Sequence, residues 1–259
     1  MTHIIAVAGR KGGVGKTTTA LNLAGVLVER GLQVLLVDLD PQASLTRLIL
    51  GDEAADIDGI GQRILAPQRG VEGLSRPVFM GVDLWPGDRA IETASFALAD
   101  DPTGPLRLRK LLARLDGYDV VLLDTPPSLG FALNSAILAA RTAVLPTLLV
   151  QQDLDALTDT LELRDRLSEL GGAAELIVIV PNAYRNDGND RQTLAVLGQV
   201  YGDQVAAPIP LTVSIKYALN ARKPVSLYEP SGTAAQAYRA LADRLFAEVA
   251  EVAEGAHHG

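Results

Sequence analysis

Residues 9–18 read Gly-Arg-Lys-Gly-Gly-Val-Gly-Lys-Thr-Thr, a glycine-rich segment with two lysines. A β-branched apolar run at residues 3–8 precedes it, and a helical pattern at residues 16–30 follows it. A glycine-rich loop between a strand and a helix lets backbone N–H groups surround phosphate oxygens, while the helix N-terminus adds favourable positive charge. The pattern therefore indicates a phosphate-binding loop.

Two side chains in this loop have the spacing that phosphate chemistry needs. Lys16 is placed to reach the β- and γ-phosphates of a nucleotide, and the Thr17 hydroxyl is placed to bind Mg²⁺. The standard G-x-x-x-x-G-K-[ST] pattern has glycine where this chain has Arg10, and a second lysine, Lys11, follows it. The alternative is a glycine-rich turn that binds nothing, but such a turn needs no Lys-Thr pair at this spacing.

Three aspartates follow predicted strands. Asp38 and Asp40 come after an apolar strand at residues 33–37, and Asp124 comes after another at residues 120–123. The carboxyl ends of parallel strands line the ligand crevice, where carboxylates hold Mg²⁺ or orient an attacking water. A single aspartate after a strand is more often a turn or cap residue, but three beside a phosphate loop favour a metal-and-water site.

The rest of the chain continues the alternation of strands and helices. Further strands are predicted at residues 143–146 and 176–180, and helices at 106–115, 154–170 and 191–200. This order predicts an α/β fold, a mostly parallel twisted sheet with helices on both faces. Residues 51–105 are predicted to be an irregular elaboration and 231–259 a C-terminal helix and tail, all within one domain spanning 1–259.

Composition excludes several classes of chemistry. The 259 residues contain no cysteine, which excludes disulfides, a thiol nucleophile and any cysteine-held metal cluster. The formal net charge is −8, and 48% of residues are hydrophobic, as in an ordinary globular protein. The N-terminal residues lack a signal-peptide pattern, and no apolar run approaches the length of a membrane span, so a cytoplasmic location is expected.

Three motifs in order resemble the ParA/MinD family of deviant Walker ATPases, most closely its short ParA-type partition ATPases. They are Lys-Gly-Gly-Val-Gly-Lys-Thr-Thr at 11–18, Leu-Asp-Pro-Gln at 39–42 and Asp-Thr-Pro-Pro-Ser at 124–128. The resemblance continues through Ile-Pro at 209–210, Lys-Pro-Val at 223–225 and Tyr-Glu-Pro-Ser at 228–231, so only residues 51–105 match weakly.

This resemblance implies a P-loop NTPase of the deviant Walker A type that uses ATP and Mg²⁺. It implies a homodimer bridged by ATP, in which Lys11 reaches the phosphates bound by the partner subunit. Asp40 would position the hydrolytic water, Asp124 is the Walker B aspartate, and residues 125–128 sense the γ-phosphate. No Asn-Lys-x-Asp motif for guanine is present, which favours ATP over GTP.

The predicted site residues fall into three groups. The catalytic residues are Lys11, Lys16 and Asp40; the metal residues are Thr17, Asp38 and Asp124; the nucleotide-binding residues are Lys11, Gly12, Gly13, Val14, Gly15, Lys16, Thr17, Thr18 and Asn182. For Asn182, a contact with adenine and a structural role in a buried turn are equally good interpretations.

The resemblance also implies nonspecific binding of double-stranded DNA and a ParB-like centromere-binding protein that stimulates hydrolysis, on the nucleoid. Residues 181–224 carry five basic and three acidic side chains, so this segment is positive although the chain is not. The candidate DNA contacts are Arg185, Arg191, Lys216, Arg222 and Lys223. Five dispersed charges on an ordinary solvated surface are the alternative, and Leu211-Thr212 replaces the Arg-Asn common in the family.

Other branches and classes fit less well. Iron–sulfur reductase relatives need cysteines, and membrane-binding relatives need a basic C-terminal helix, whereas residues 231–259 hold two basic and four acidic side chains. We therefore expect no membrane partner. A positioning switch for a protein cargo or the division machinery is the main alternative, and a small metabolic ATP-dependent ligase is a weaker one.

Overall fold

The computed structural model describes residues 2–54, 57–128, 130–169 and 172–255, with side chains to residue 247. In these residues seven strands form one sheet in the order β3-β4-β2-β5-β1-β6-β7. The strands are β1 (His3–Val7), β2 (Val34–Asp38), β3 (Arg76–Phe79), β4 (Val82–Trp85), β5 (Val120–Asp124), β6 (Thr142–Leu148) and β7 (Leu176–Asn182). All neighbouring strands are parallel except β3 and β4, which are antiparallel.

Helices connect the strands and cover the sheet. They are α1 (Lys16–Val28), α2 (Ser44–Leu50), α3 (Ile60–Leu65), α4 (Ala90–Ala97), α5 (Leu106–Leu112), α6 (Phe131–Ala139), α7 (Gln151–Ser168), α8 (Gly188–Tyr201), α9 (Val213–Asn220), α10 (Val225–Tyr228) and α11 (Thr233–Gly255). Short 3₁₀ turns occur at Gly51–Ala54, Pro67–Arg69 and Gly202–Gln204. No helix in the described ranges combines the length and apolarity needed to cross a membrane.

The sheet buries a hydrophobic core on each face. Successive side chains of a strand point to opposite faces, so Val34 and Leu36 of β2 pack with α1 and α11, whereas Leu35 and Val37 pack with α5, α6 and α7. This arrangement confirms the α/β fold, with a mostly parallel sheet between two layers of helices.

Element boundaries differ from the predicted ones by a few residues. The helix predicted at 191–200 begins at Gly188, because the carboxylate of Asp187 caps it by accepting from the Asp190 N–H at 2.8 Å. The helix predicted at 154–170 begins at Gln151, and residue 170 lies outside the described residues, as do residues 256–259 of the predicted tail.

The interpretation of residues 51–105 as an irregular elaboration is incomplete. This segment supplies β3 and β4, and β4 pairs in parallel with β2 over four residues, Val34 to Val37. Each strand is only four residues long, and β3 is an edge strand that contains Pro77, so neither produced a clear pattern in the sequence.

The strand order brings the predicted site residues to one edge of the sheet. In the parallel register Asp38 of β2 lies opposite Asp124 of β5, and Val7 of β1 lies on the other side of Asp124. The loop after β1 therefore starts beside both aspartates, at the carboxyl ends of the central strands.

Candidate nucleotide site

The loop between β1 and α1 has a backbone that only glycine adopts easily. Gly13 and Gly15 have φ angles of +79° and +95°, in the left-handed region. A Cβ atom on Gly15 would also collide with the side-chain nitrogen of Asn182. The two glycines therefore shape the loop in which the sequence predicted phosphate binding.

Lys16 is buried at the start of α1 and closes the loop. Its ammonium donates to the carbonyl of Lys11 at 2.7 Å. Burial lowers the pKa of Lys16, while the charges of Asp124 and Asp40 oppose that shift. A cavity of about 300 Å³ opens beside this lysine. It is lined by Gly12, Gly13, Gly15, Lys16, Thr17, Thr18, Asp40, Ser44, Thr125 and Pro127.

Thr17 and Asp124, two of the predicted metal residues, are in direct contact. The Thr17 hydroxyl donates to Asp124 Oδ2 at 2.7 Å. The other oxygen, Asp124 Oδ1, is buried and has no hydrogen-bond partner among the described residues. Burial raises the pKa of Asp124 well above its ordinary value, and the neighbouring charge of Asp38 adds to the rise. A buried, unpaired carboxylate oxygen beside a hydroxyl is a donor set that fits Mg²⁺.

The protein alone does not surround a metal ion at this site. The described residues contain no group of three or more histidine or acidic side chains that could hold one. Mg²⁺ usually takes one or two protein oxygens and completes its shell with water and substrate phosphates. The Thr17–Asp124 pair therefore fits an ion that arrives with a nucleotide.

Asp38 uses both carboxylate oxygens to hold neighbouring backbone. Its Oδ1 accepts from the Asp40 N–H at 3.0 Å, and its Oδ2 accepts from the N–H and hydroxyl of Thr46 at 2.8 and 2.7 Å. Burial raises the pKa of Asp38 to about 6, against the lowering effect of the Thr46 hydrogen bonds. Its role as a metal ligand stays a prediction, while the contacts show that it fixes the segment carrying Asp40.

Asp40 lines the cavity and is held in a defined orientation. Its Oδ1 accepts from the Gln42 N–H at 2.8 Å, and its Oδ2 accepts from the Ser44 hydroxyl at 3.0 Å. Each oxygen keeps a free lone pair. The carboxylate is therefore oriented at the cavity, and either oxygen can accept a further hydrogen bond, such as one from water.

Lys11 lies against α7. Its ammonium is 3.6 Å from the buried carboxylate of Asp153 and 3.4 Å from Gln152 Oε1. The neighbouring Arg10 forms an ion pair with Asp159 on the same helix. The Lys11 side chain is 43% exposed, and Lys11 does not line the cavity of its own subunit. Its ammonium is therefore accessible at the surface of the loop.

Asn182, at the end of β7, packs against the phosphate loop and is hydrogen-bonded to it. Its side-chain nitrogen donates to the carbonyl of Val14 at 2.7 Å and occupies the space beside Gly15. This contact agrees with the structural interpretation of Asn182, and its contact with adenine stays a prediction.

The predicted DNA contacts are all exposed and fall into two groups. The segments that carry the two groups are joined by a hydrogen bond from the Leu211 N–H to the carbonyl of Tyr184. Arg185 and Arg191 flank the start of α8, and Lys216, Arg222 and Lys223 belong to α9 or the turn after it. Two of the three nearby acids have local partners: Asp187 caps α8, and Asp190 accepts from the Arg185 N–H at 2.6 Å.

Comparison with known proteins gives the family. The AAA_31 family, described as "AAA domain", matches residues 2–169. The chain is 38% identical to the chromosome-partitioning ATPase Soj of Thermus thermophilus, covering 95% of this chain and 96% of that protein. It is 31% identical to the sporulation initiation inhibitor protein Soj of Bacillus subtilis, covering 95% and 99%. The chain belongs to the ParA/MinD family of ATPases.

Solved structures of ParA/MinD-type proteins have the same fold. Cobyrinic acid a,c-diamide synthase from Mycobacterium smegmatis, with bound ADP and magnesium, gives a TM-score of 0.82 at 29% identity, over 95% of this chain and 94% of that one. The septum site-determining protein MinD from Pyrococcus horikoshii, complexed with Mg-ADP, gives 0.75 at 29% identity, over 95% and 96%. The chain is thus a ParA-type P-loop ATPase of the class that acts in partitioning or positioning.

Proposed function

We propose that this protein is a DNA-partition ATPase, with residues 1–259 acting as one ATPase domain. ATP and Mg²⁺ close a homodimer, the dimer binds duplex DNA on the nucleoid without sequence preference, and a ParB-like protein stimulates the hydrolysis that releases it. One observation carries the proposal: Lys16, Thr17 and Asp40 line a cavity, and Thr17 is bonded to the buried Asp124. The second loop lysine, Lys11, does not line this cavity and contacts α7 instead.

The reaction is phosphoryl transfer to water. Bound Mg²⁺ supplies positive charge at the β- and γ-phosphates. Lys16 and the loop N–H groups bind phosphate oxygens. Thr17 and Asp124 provide the protein oxygens that would hold the ion. Asp40, fixed by Gln42 and Ser44, accepts a hydrogen bond from the attacking water and so orients it. Lys11 of the partner subunit adds charge that stabilises the transition state.

Asp40→Ala is expected to bind ATP and dimerise but to hydrolyse ATP at least about 100-fold more slowly, because the attacking water loses its oriented acceptor. Phosphate release under single-turnover conditions measures this. Asp203→Ala, at an exposed position that does not line the cavity, is the matched control and should keep wild-type turnover. Unchanged turnover of Asp40→Ala would remove the assigned role.

Duplex DNA of random sequence should bind in the presence of ATP and not of ADP. Because the contacts are to phosphates, affinity should fall by about tenfold or more between roughly 50 and 200 mM salt. Lys216→Ala and Lys223→Ala should each weaken binding several-fold, whereas Lys110→Ala on α5 should not. Fluorescence anisotropy measures all three. Binding that is absent with ATP would instead favour a positioning switch for a protein cargo.

A metabolic ligase is the second candidate, because one similar structure is named cobyrinic acid a,c-diamide synthase. Such an enzyme needs a pocket for a second substrate, and a cleft of about 810 Å³ lies next to the Asp40 loop, lined in part by Gln42, Arg47 and Arg89. The ligase function predicts appreciable ATP turnover by the protein alone that neither DNA nor a ParB-like protein changes. The partition function predicts slow turnover that both change.

A further inference from the structure

The turn at residues 221–224, which we call the basic turn, connects α9 to α10 and carries Arg222 and Lys223. The Lys223 N–H donates to the carbonyl of Ala218 at 3.0 Å, and the Arg222 N–H to that of Leu219 at 2.9 Å. This is the hydrogen-bond pattern that usually ends a helix with glycine. Arg222 instead adopts the left-handed conformation, with φ of +56°. An arginine kept in a strained conformation suggests that its side chain has a function there.

The basic turn is fastened to the helix of the phosphate loop through Asn22. This side chain is 1% exposed, and its Nδ2 donates to the carbonyl of Thr18 at 2.7 Å. Its Oδ1 accepts from the N–H of Val225, directly after the turn, at 2.6 Å. One turn further along α1, a Cβ on Gly25 would collide with the ring of Pro224. A buried hydrogen-bonded amide and a close packing contact thus join α1 to the basic turn.

The same turn is in contact with the helix that follows the Asp40 loop. The guanidinium of Arg222 lies over Gly51, the residue directly after α2, so closely that a Cβ there would overlap it. At the other end of α2, the hydroxyl of Ser44 donates to Asp40. The basic turn therefore touches both helices that begin at the nucleotide cavity.

We propose that the basic turn is a nucleotide-responsive DNA contact, positioned by Asn22 from the phosphate loop and by the Arg222–Gly51 contact from the Asp40 loop. The proposal rests on the proposed function, because the ligand of the turn is the DNA backbone. A change at Thr18 or Asp40 moves α1 or α2, and the two contacts transmit that movement to Arg222 and Lys223. DNA affinity then depends on the nucleotide through the position of each turn as well as through dimerisation.

Two variants interrupt the link to α1 and replace no residue that lines the cavity. Asn22→Ala removes the bridging amide, and Gly25→Ala pushes Pro224 away. With a non-hydrolysable ATP analogue, each should weaken DNA binding about tenfold, within the usual range of coupling between sites, while dimerisation and basal ATP turnover stay within about twofold. Gly198→Ala in α8, where a Cβ meets open space, is the matched control and should change nothing. A purely structural defect would lower turnover, dimerisation and DNA binding together, and unchanged DNA affinity in both variants would overturn the proposal.

Hydrogen exchange on the wild-type protein tests the same link independently of variant folding. In the absence of DNA, amides of residues 218–228 should exchange at different rates with the ATP analogue and with ADP, and Asn22→Ala should lose that difference. Equal rates in the wild-type protein would overturn the proposal even if DNA binds. Different rates in a protein that binds no DNA would support the link while contradicting the proposed function.

Discussion

Replacing Lys11 by alanine should abolish ATP-dependent dimerisation while leaving the fold and ATP binding by the monomer nearly intact. In the monomer this ammonium contacts Asp153 and Gln152 on α7, and Lys16 supplies the positive charge inside the cavity. In the proposed dimer each Lys11 offsets the phosphate charge of the nucleotide bound by the partner. Without Lys11 the negative charges of the two nucleotides would approach each other uncompensated. The dissociation constant of the dimer should therefore rise by at least about 100-fold.

Light scattering after chromatography, with the non-hydrolysable analogue and with ADP, measures this effect. Lys110→Ala removes the same charge from an exposed position on α5 and should dimerise like the wild-type protein. Nucleotide binding to monomeric Lys11→Ala, followed by titration calorimetry, should change by less than about threefold. Dimers of Lys11→Ala that form at wild-type ATP concentrations would contradict the ATP-bridged arrangement.

Sequence alone predicted the central part of the molecule because that part is encoded locally. Glycines at positions 13 and 15 determine a loop conformation, and apolar runs followed by aspartate mark strands that end at the cavity. Thr17 and Asp124 are 107 positions apart, yet the parallel register places them at 2.7 Å. Their pairing was predictable because a phosphate loop and a strand-end aspartate have fixed places in this kind of sheet.

Residues whose role depends on tertiary contacts could not be predicted in the same way. Asp38 and Asp40 both follow an apolar strand, and the sequence does not show that Thr46, eight positions further on, occupies Asp38 Oδ2 with two hydrogen bonds. Asp153 belongs to no motif, and its contact with Lys11 depends on how α7 packs. β3 and β4 were missed because four-residue strands carry too little periodicity.

The buried Asp124 beside the cavity is expected to lower the stability of the protein without nucleotide while it supports activity, and Asp124→Asn tests both effects. Asp124 is buried with one unpaired oxygen, beside Asp38, and burial raises its pKa well above 3.8. An asparagine keeps an acceptor for the Thr17 hydroxyl and carries no charge to desolvate. The variant without nucleotide should therefore be more stable than the wild-type protein at neutral pH, by about 2 kcal/mol. That corresponds to a melting temperature several degrees higher.

The pH dependence of this difference identifies its cause. A carboxyl group whose pKa is higher in the folded than in the unfolded state binds protons more tightly when folded, so its contribution to stability falls as pH rises above 3.8. The advantage of Asp124→Asn should thus be small near pH 4 and grow toward neutral pH. Groups that do not interact with Asp124, such as His3, are common to both proteins and cancel in the comparison, whereas the charge of Asp38 raises the pKa of Asp124 and so belongs to the measured difference.

Magnesium and ATP should reverse the order of stability. The melting temperature of the wild-type protein should rise when both are added, because Mg²⁺ binds the buried carboxylate of Asp124. The melting temperature of Asp124→Asn should rise little. ATP turnover of the variant should fall at least about 100-fold, since the charge that holds the ion is lost. Thermal unfolding with and without Mg-ATP from pH 4 to 8, alongside turnover, measures the whole set. If the variant is less stable than the wild-type protein at neutral pH without nucleotide, the explanation is contradicted. Thr17 and Lys16 would then already compensate the Asp124 charge, and its unpaired oxygen would not destabilise the protein.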